Sequence, residues 1–373
     1  MTKLDAWKMG GAVLLLCAAT AIAARAQVFN TLMSFDGRDG GDPPEPLVQG
    51  INGSLYGTTP VGGAKPIKGL CGGAGCGTVF KISAVGALTR LYSFCTQANC
   101  TDGMEPYAGL VQATDGNLYG TTAAGGVNNI NGGTVFKITS NGALTRLYSF
   151  CAQTNCTDGK SPQAPLVQGT DGNFYGTTVV GGANNNTICT AGNPGCGTVF
   201  KITSSGVLTT LYSFCAQPNC ADGALPYTGL IQGTDGNFYG TTSGGGANSE
   251  NTICLGDGCG TVFTITSGGA LTTLYSFCAQ TNCTDGAIPY AGLIQATNGN
   301  FYGTTGAGGS CIYRQTHLIH DKSGYRQLRP FRLVKIGQQS RCRILAGSPR
   351  SRTESRGKNI RAPSFRPLYQ TEL

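Results

Sequence analysis

The stretch "GTDGNFYGTT" occupies residues 169–178 and returns letter for letter at 233–242. Asp-Gly and Asn-Gly steps favour tight hairpins, because such turns need backbone with φ > 0. The Phe-Tyr-Gly-Thr-Thr that follows has the aromatic and β-branched character of a strand. Variants recur along the chain, and the tyrosines that mark them, Tyr56, Tyr119, Tyr175, Tyr239 and Tyr302, are 63, 56, 64 and 63 residues apart. A second motif, "GTVFKI" or "GTVFTI", places Phe80, Phe136, Phe200 and Phe263 at intervals of 56, 64 and 63. The two registers advance together, which is the mark of a tandem array.

One unit contains four strand-like runs, at residues 165–170, 173–178, 197–203 and 207–214, here named a to d. Residues 171–172 link a to b, and residues 204–206 link c to d, both with turn chemistry. The last run is apolar on both faces, as expected of a sheet stacked between two similar sheets. Four antiparallel strands per unit, repeated about an axis, predict an all-β fold: a β-propeller of about five blades, the last truncated. Residues 28–35, "VFNTLMSF", read as a lone strand d that would complete the last blade and remove an open edge. At residue 311 the expected "GTVF" gives way to "CIYRQTHLIH", so strand c of the fifth unit is expected to be missing. Two readings of that change stand open: a basic, disordered tail, or a reading frame or gene that has departed from the repeat.

The chain of 373 residues thus divides into residues 1–26, 27–310 and 311–373. Residues 1–26 carry Lys3 and Lys8, an apolar run and Ala24-Arg25-Ala26, the pattern of a secretory signal. Export to the cell surface or beyond is the expected address, and no later run has the length of a membrane span. The net charge of +8 is unevenly placed: residues 311–373 hold 14 Lys/Arg against 3 Asp/Glu, leaving 12 against 15 elsewhere. The repeat body is mildly acidic, so a nucleic-acid partner would rest on the tail alone and none is expected; the basic tail reads as disordered.

The "DGN(L/F)YGTT…GTVFKIT…LYSF" unit resembles the GloVer tandem-repeat family of secreted bacterial proteins over residues 28–305. The resemblance implies a propeller-like repeat protein, and it brings no activity or catalytic residue with it. Members often end in a surface-sorting segment; residues 311–373 do not read as one.

Fourteen cysteines form seven local pairs: Cys71/Cys76, Cys95/Cys100, Cys151/Cys156, Cys189/Cys196, Cys215/Cys220, Cys254/Cys259 and Cys278/Cys283. Where the second unit has a short b–c link, at residues 123–133, both members of the pair are missing together, as bonded partners would be. An oxidising compartment favours disulfides. Structural zinc competes, since the C-x4-C-x18-C-x4-C spacing of the first and fourth units would suit four thiolates. Redox catalysis is disfavoured, the spacing not being C-x-x-C. No metal or cofactor is expected.

In an up-and-down blade the a–b and c–d links lie at one end and the b–c and d–a links at the other. All seven pairs fall in b–c or d–a links, so one end of the fold should carry long stapled loops. Rigidly held loops are where binding groups gather. Asn184, Asn185, Asn186, Tyr107, Tyr227 and Tyr290 are the candidate ligand-binding residues on that rim, with packing beside the adjacent proline as the competing role of the tyrosines. Both histidines, His317 and His320, lie in the tail, so a Ser-His-Asp or Cys-His site cannot be built in the repeat body. The recurring Asp102, Asp158, Asp222 and Asp285, with Asp115, Asp171 and Asp235, are expected to shape turns. The sequence therefore points to a binding module for a glycan or cell-surface protein rather than an enzyme. A polysaccharide-active enzyme working through paired carboxylates is the alternative, and a truncated, non-functional repeat product is a third.

Overall fold

The computed structural model describes residues 31–309, apart from 65–70, 129, 187–188, 190–194, 249–253 and 255–256, together with Arg332–Lys335. The signal, the histidines and most of the tail lie outside the described residues. The chain is all-β, with strands joined by turns and short 3₁₀ segments. Four sheets have four strands each in simple up-and-down order. The first has β1 (Val48–Gln49), β2 (Leu55–Thr59), β3 (Thr78–Ile82) and β4 (Leu88–Ser93). The second has β5 (Val111–Gln112), β6 (Leu118–Thr122), β7 (Thr134–Ile138) and β8 (Leu144–Ser149). The third has β9 (Val167–Gln168), β10 (Phe174–Thr178), β11 (Thr198–Ile202) and β12 (Leu208–Ser213), and the fourth β13 (Ile231–Gln232), β14 (Phe238–Thr242), β15 (Thr261–Ile265) and β16 (Leu271–Ser276). A fifth sheet has β17 (Ile294–Gln295), β18 (Phe301–Thr305) and β19 (Arg332–Lys335).

The third blade shows the plan. Strands β9 (Val167–Gln168), β10 (Phe174–Thr178), β11 (Thr198–Ile202) and β12 (Leu208–Ser213) pair antiparallel in that order. These are the four runs expected from sequence. One detail was not legible: between β11 and β12 the register slips, Val199 facing Tyr212 and Phe200 facing Thr210. Leu211 is the extra residue of a bulge, and Leu211 and Tyr212 both pack against one apolar cluster. The same slip recurs in the first, second and fourth blades.

The core lies between blades rather than within them. Phe150 at the end of the second blade meets Phe200 of the third edge to face, with ring centroids 5.2 Å apart. Phe94 with Phe136 and Phe214 with Phe263 repeat that contact at 5.2 Å. A second row of rings stacks Tyr119 on Phe174, Tyr175 on Phe238 and Tyr239 on Phe301 at 3.9–4.0 Å. Such pairs add about 0.5–1.5 kcal/mol each beyond area burial. Gly176 lies beneath Phe200: a Cβ there would stand 2.7 Å from that ring, which is why the strand motif reads Tyr-Gly-Thr.

The two threonines of the motif divide their tasks. Thr178 shares a hydrogen bond with Thr198 inside its own blade, 2.8 Å apart, whereas Thr177 donates to the Thr228 carbonyl of the next blade at 3.1 Å. At the tight-turn end, Gln232 of the fourth blade accepts from the Thr170 amide at 3.0 Å, and Gln112, Gln168 and Gln295 do the same for Ile51, Thr114 and Thr234. Successive four-stranded antiparallel blades, each locked to the next by rings and hydrogen bonds, give the propeller-type architecture.

Two expectations for the chain ends are corrected. Residues 31–35 of the presumed N-terminal strand d are not in a strand, although Phe35 packs on Phe80 at 5.0 Å, in the role that Phe94 plays toward Phe136. The inter-blade ring contact thus survives without the strand pairing. The fifth blade gains a strand c after all: β19 (Arg332–Lys335) pairs antiparallel with β18 (Phe301–Thr305), where the other blades use "TVFKI" or "TVFTI". The last blade is truncated to three strands among the described residues.

Candidate functional site

All seven expected cysteine pairs are disulfide-bonded, each closing a ring of five or seven residues' separation. They sit at the end opposite the Gln-clamped turns, as strand directions require. There the b–c and d–a links are also zipped together. Lys160 pairs with Val180, Ala224 with Gly244 and Met104 with Ala124 as antiparallel bridges.

The residue after each bridge takes left-handed backbone: Glu105 at φ 58°, Ser161 at 56°, Leu225 at 57° and Ile288 at 53°. That conformation is costly for such side chains. It is offset because the residue ties two blades at once. The Leu225 amide donates to the Cys196 carbonyl at 2.9 Å, while its own carbonyl accepts from the Ser243 amide at 3.1 Å. Glu105 and Ile288 make the equivalent pairs to Cys76 and Ala123, and to Cys259 and Gly306. The disulfide loops are therefore parts of a continuous hydrogen-bonded edge.

Each "CxxxxCxDG" loop is organised around a carboxylate, buried at Asp102, Asp158 and Asp222 and partly exposed at Asp285. Asp158 accepts from the Tyr148 hydroxyl at 2.9 Å, the Ala152 amide at 2.9 Å and the Gln153 amide at 3.3 Å. Asp102 pairs with Tyr92, Asp222 with Tyr212 and Asp285 with Tyr275 in the same way. Burial, reinforced by the carboxylate at the hydroxyl, raises the Tyr148 and Tyr212 pKa well above the ordinary phenol value and pushes that of Tyr275 up to about 12. Sequence reasoning assigned these aspartates to turns and missed the tyrosine. The signal was available, since Tyr and Asp stand ten residues apart in every copy.

The aspartates of the hairpin motif have a parallel task. Asp171 accepts from the Tyr175 hydroxyl at 2.7 Å and from the Asn173 side chain at 2.8 Å. Those hydrogen bonds hold the Asp171 carboxyl below the usual range against a raising contribution from burial. The recurring aspartates are thus spent on architecture. Carboxyls pushed upward by burial are Glu45, Glu105 and Asp257, outside the repeated pairs.

The candidate rim residues separate into two groups. Asn184 donates to the Ser213 and Phe214 carbonyls at 2.9 and 3.2 Å, as Asn128 and Asn248 do in their blades, so it clips the loop to strand d. Asn185 accepts from the Gly195 amide at 2.6 Å, and the Asn186 carbonyl accepts from the Cys189 amide at 2.9 Å. These three asparagines shape the loop. The tyrosines differ. Tyr227 and Tyr290, one blade apart, meet edge to face with centroids 5.7 Å apart, and Tyr290 is 58% exposed. Tyr107, 38% exposed, is the corresponding residue near the first interface. Their neighbouring prolines pack elsewhere, Pro226 against Gly197 and Pro289 against Gly260. A cleft of about 480 Å³ opens at the same end of the first blade, lined by Asp36, Arg38, Ala64 and Arg90 among others.

Several solved structures are similar in fold. A protein of unknown function from Dyadobacter fermentans DSM 18053 is 9% identical, with 69% of this chain and 73% of that one covered and a TM-score of 0.41. A luciferin-regenerating enzyme is 12% identical, with 62% and 63% covered and a TM-score of 0.35. Kuenenia stuttgartiensis hydrazine synthase is 13% identical, with 71% and 56% covered and a TM-score of 0.39. The chain spans less than two thirds of the length of the last two, and no activity or site is carried over from them. Among curated proteins, none matches. The sequence profile of the Gloeobacter/Verrucomicrobia repeat matches residues 21–191 and 187–313. Those matches cover well over half of the chain and coincide with the blades just described, so the protein belongs to the Gloeobacter/Verrucomicrobia repeat family.

Proposed function

We propose that this protein is an extracellular binding module that presents its disulfide-stapled edge to a glycan. The observation that carries this reading is the Tyr227–Tyr290 pair, an exposed Tyr290 against a partly buried Tyr227, held on a rigid rim by neighbouring blades. Aromatic rings beside polar loop groups offer an apolar face and a hydroxyl at once, which suits the mixed surface of a sugar. The rim is pre-formed by short covalent rings and inter-blade hydrogen bonds, so little ordering entropy remains to oppose association. Seven disulfides in a chain of this size fit an oxidising, exported setting, as does the signal-like pattern of residues 1–26. Among the described residues, no helix is long and apolar enough to cross a membrane.

The carboxylate-enzyme reading draws support from fewer groups, because the repeated aspartates are hydrogen-bonded to tyrosine hydroxyls. Glu45, Glu105 and Asp257 are the carboxyls it would have to use. A glycan-array screen run beside a polysaccharide hydrolysis assay decides between the two. Saturable binding without turnover supports the module; turnover that disappears in Glu105→Gln sinks it. Binding to surface proteins but to no glycan would leave a module with a different ligand class. Limited proteolysis tests the third reading, since a non-folding product would give no protected core.

A further inference from the structure

In the fourth blade the two cysteine pairs converge. The Sγ atoms of Cys254, Cys259, Cys278 and Cys283 all lie within 4.8 Å of one another, and all four residues are buried. Cys254 and Cys278, which belong to different disulfides, have their sulfurs 3.7 Å apart. A zinc ion with Zn–S bonds of about 2.3 Å in a tetrahedron separates its sulfurs by about 3.8 Å. The Cys254–Cys278 separation therefore matches that of a tetrathiolate site, and the two bonded pairs reach the same spacing once their S–S bonds are cut.

The chain path suits it as well. Each pair has C-x4-C spacing, at the upper end of the usual range for zinc ligands, and the two pairs come from two loops facing each other across one blade end. Cys283 closes a 3₁₀ turn, Thr281–Cys283, that begins three residues after Cys278. Convergence is weaker elsewhere: Cys76, Cys95 and Cys100 in the first blade, and Cys189, Cys196 and Cys215 in the third, are sets of three. Cys151 and Cys156 belong to no such set among the described residues.

We propose that the reduced chain binds one zinc ion through Cys254, Cys259, Cys278 and Cys283, so that this edge has two stapled forms. The oxidised form has two disulfides. Two equivalents of a dithiol reductant break the two S–S bonds; together they supply four electrons and four protons, each becomes a disulfide itself, and four protein thiols are left. Zinc then displaces the four thiol protons to give a tetrathiolate of net charge −2. Before oxidation, for instance during export, the ion holds the same loops in register that the disulfides hold afterwards. The expectation of no metal drawn from the sequence applies to the oxidised chain.

The full chain is reduced with a dithiol, freed of reductant without oxygen, and titrated with zinc alone and with cobalt alone. Wild-type protein should retain one more equivalent of zinc than Cys254→Ser/Cys278→Ser, and the blade-2 variant Cys151→Ser/Cys156→Ser should retain as much as wild type. Cobalt in the wild-type site should show the ligand-field bands of a tetrahedral ion and the charge-transfer intensity of four thiolates. Equal zinc in wild type and Cys254→Ser/Cys278→Ser overturns the proposal. So does an octahedral or thiolate-poor cobalt spectrum of the wild type, a result that stands even if the variant fails to fold.

Discussion

Tyr148 donates its hydroxyl to the buried Asp158 across 2.9 Å, spanning the ring that Cys151 and Cys156 close. The same relationship joins Tyr212 to Asp222 around Cys215 and Cys220. The covalent ring and the carboxylate that fills it form one unit, and strand d is tied into it by its tyrosine. The rigidity of the stapled edge thus has two sources, one chemical and one electrostatic.

Removing the carboxylate should therefore cost more than removing its partner. Asp222→Ala leaves the Tyr212 hydroxyl and the Ala216 and Gln217 amides without their acceptor. Loss of about 2–3 kcal/mol is expected, against about 1 kcal/mol for Tyr212→Phe. Chemical denaturation of both single variants and the double variant measures this. Additive losses would show that the two groups do not act together.

Alkaline pH should loosen the same loops. Tyr275 is neutral when protonated, and its pKa is pushed up to about 12 by burial first and by Asp285 second. The folded state holds this proton more tightly than the unfolded chain, whose phenols ionise near pH 10. Its stabilising contribution is therefore complete below pH 10 and lost as pH rises toward 12. Phenolate absorbance followed with unfolding should show late-titrating tyrosines that ionise as the fold opens; ionisation of all tyrosines together near pH 10 with the fold intact would refute it.

Gly176 and Gly172 should respond differently to alanine. At Gly176 a Cβ meets Phe200 at 2.7 Å and Leu166 at 2.8 Å, so Gly176→Ala overpacks a contact inside the third blade, beneath the ring that faces Phe150, and costs about 1–3 kcal/mol. At Gly172 the space is open and the cost is backbone alone, φ being +80°. Gly172→Ala should lose about 1 kcal/mol, with no change in near-UV dichroism of the aromatic rows.

The seven rings give a mass signature. Exported protein should lie 14 hydrogens below its fully reduced form from these pairs, with each bond mapped within a single short peptide. Each ring contributes about 2 kcal/mol in the loop-entropy model, so reduction should lower the melting temperature markedly. A melting temperature unmoved by reduction would assign the edge's rigidity to hydrogen bonds alone.

The rim tyrosines should matter for binding and little for folding. Tyr227→Ala/Tyr290→Ala is expected to weaken glycan binding at least about tenfold, the loss of roughly 1.4 kcal/mol. Tyr290 is more than half exposed, so stability should change little. Unchanged affinity would move the ligand site away from this pair.

The sequence by itself determined the blade. Turn chemistry, the march of Tyr56 through Tyr302 and the paired presence or absence of cysteines fixed four strands per unit, their order and the end that carries the disulfides. Those features are local, and local backbone preference expresses them in every copy alike. Tertiary structure decided how residues distant in the chain meet, within a copy and between copies. The Asn184 side chain turned out to clip its own loop, Phe35 kept an inter-blade ring contact without a strand, and Arg332–Lys335 supplied a strand that the repeat motif does not encode. It also brought Cys254 within reach of Cys278, two residues whose spacing in the chain leaves their distance open. Contacts between units depend on where packed rings and bulged strands place one sheet against the next, and periodicity carries no record of that placement.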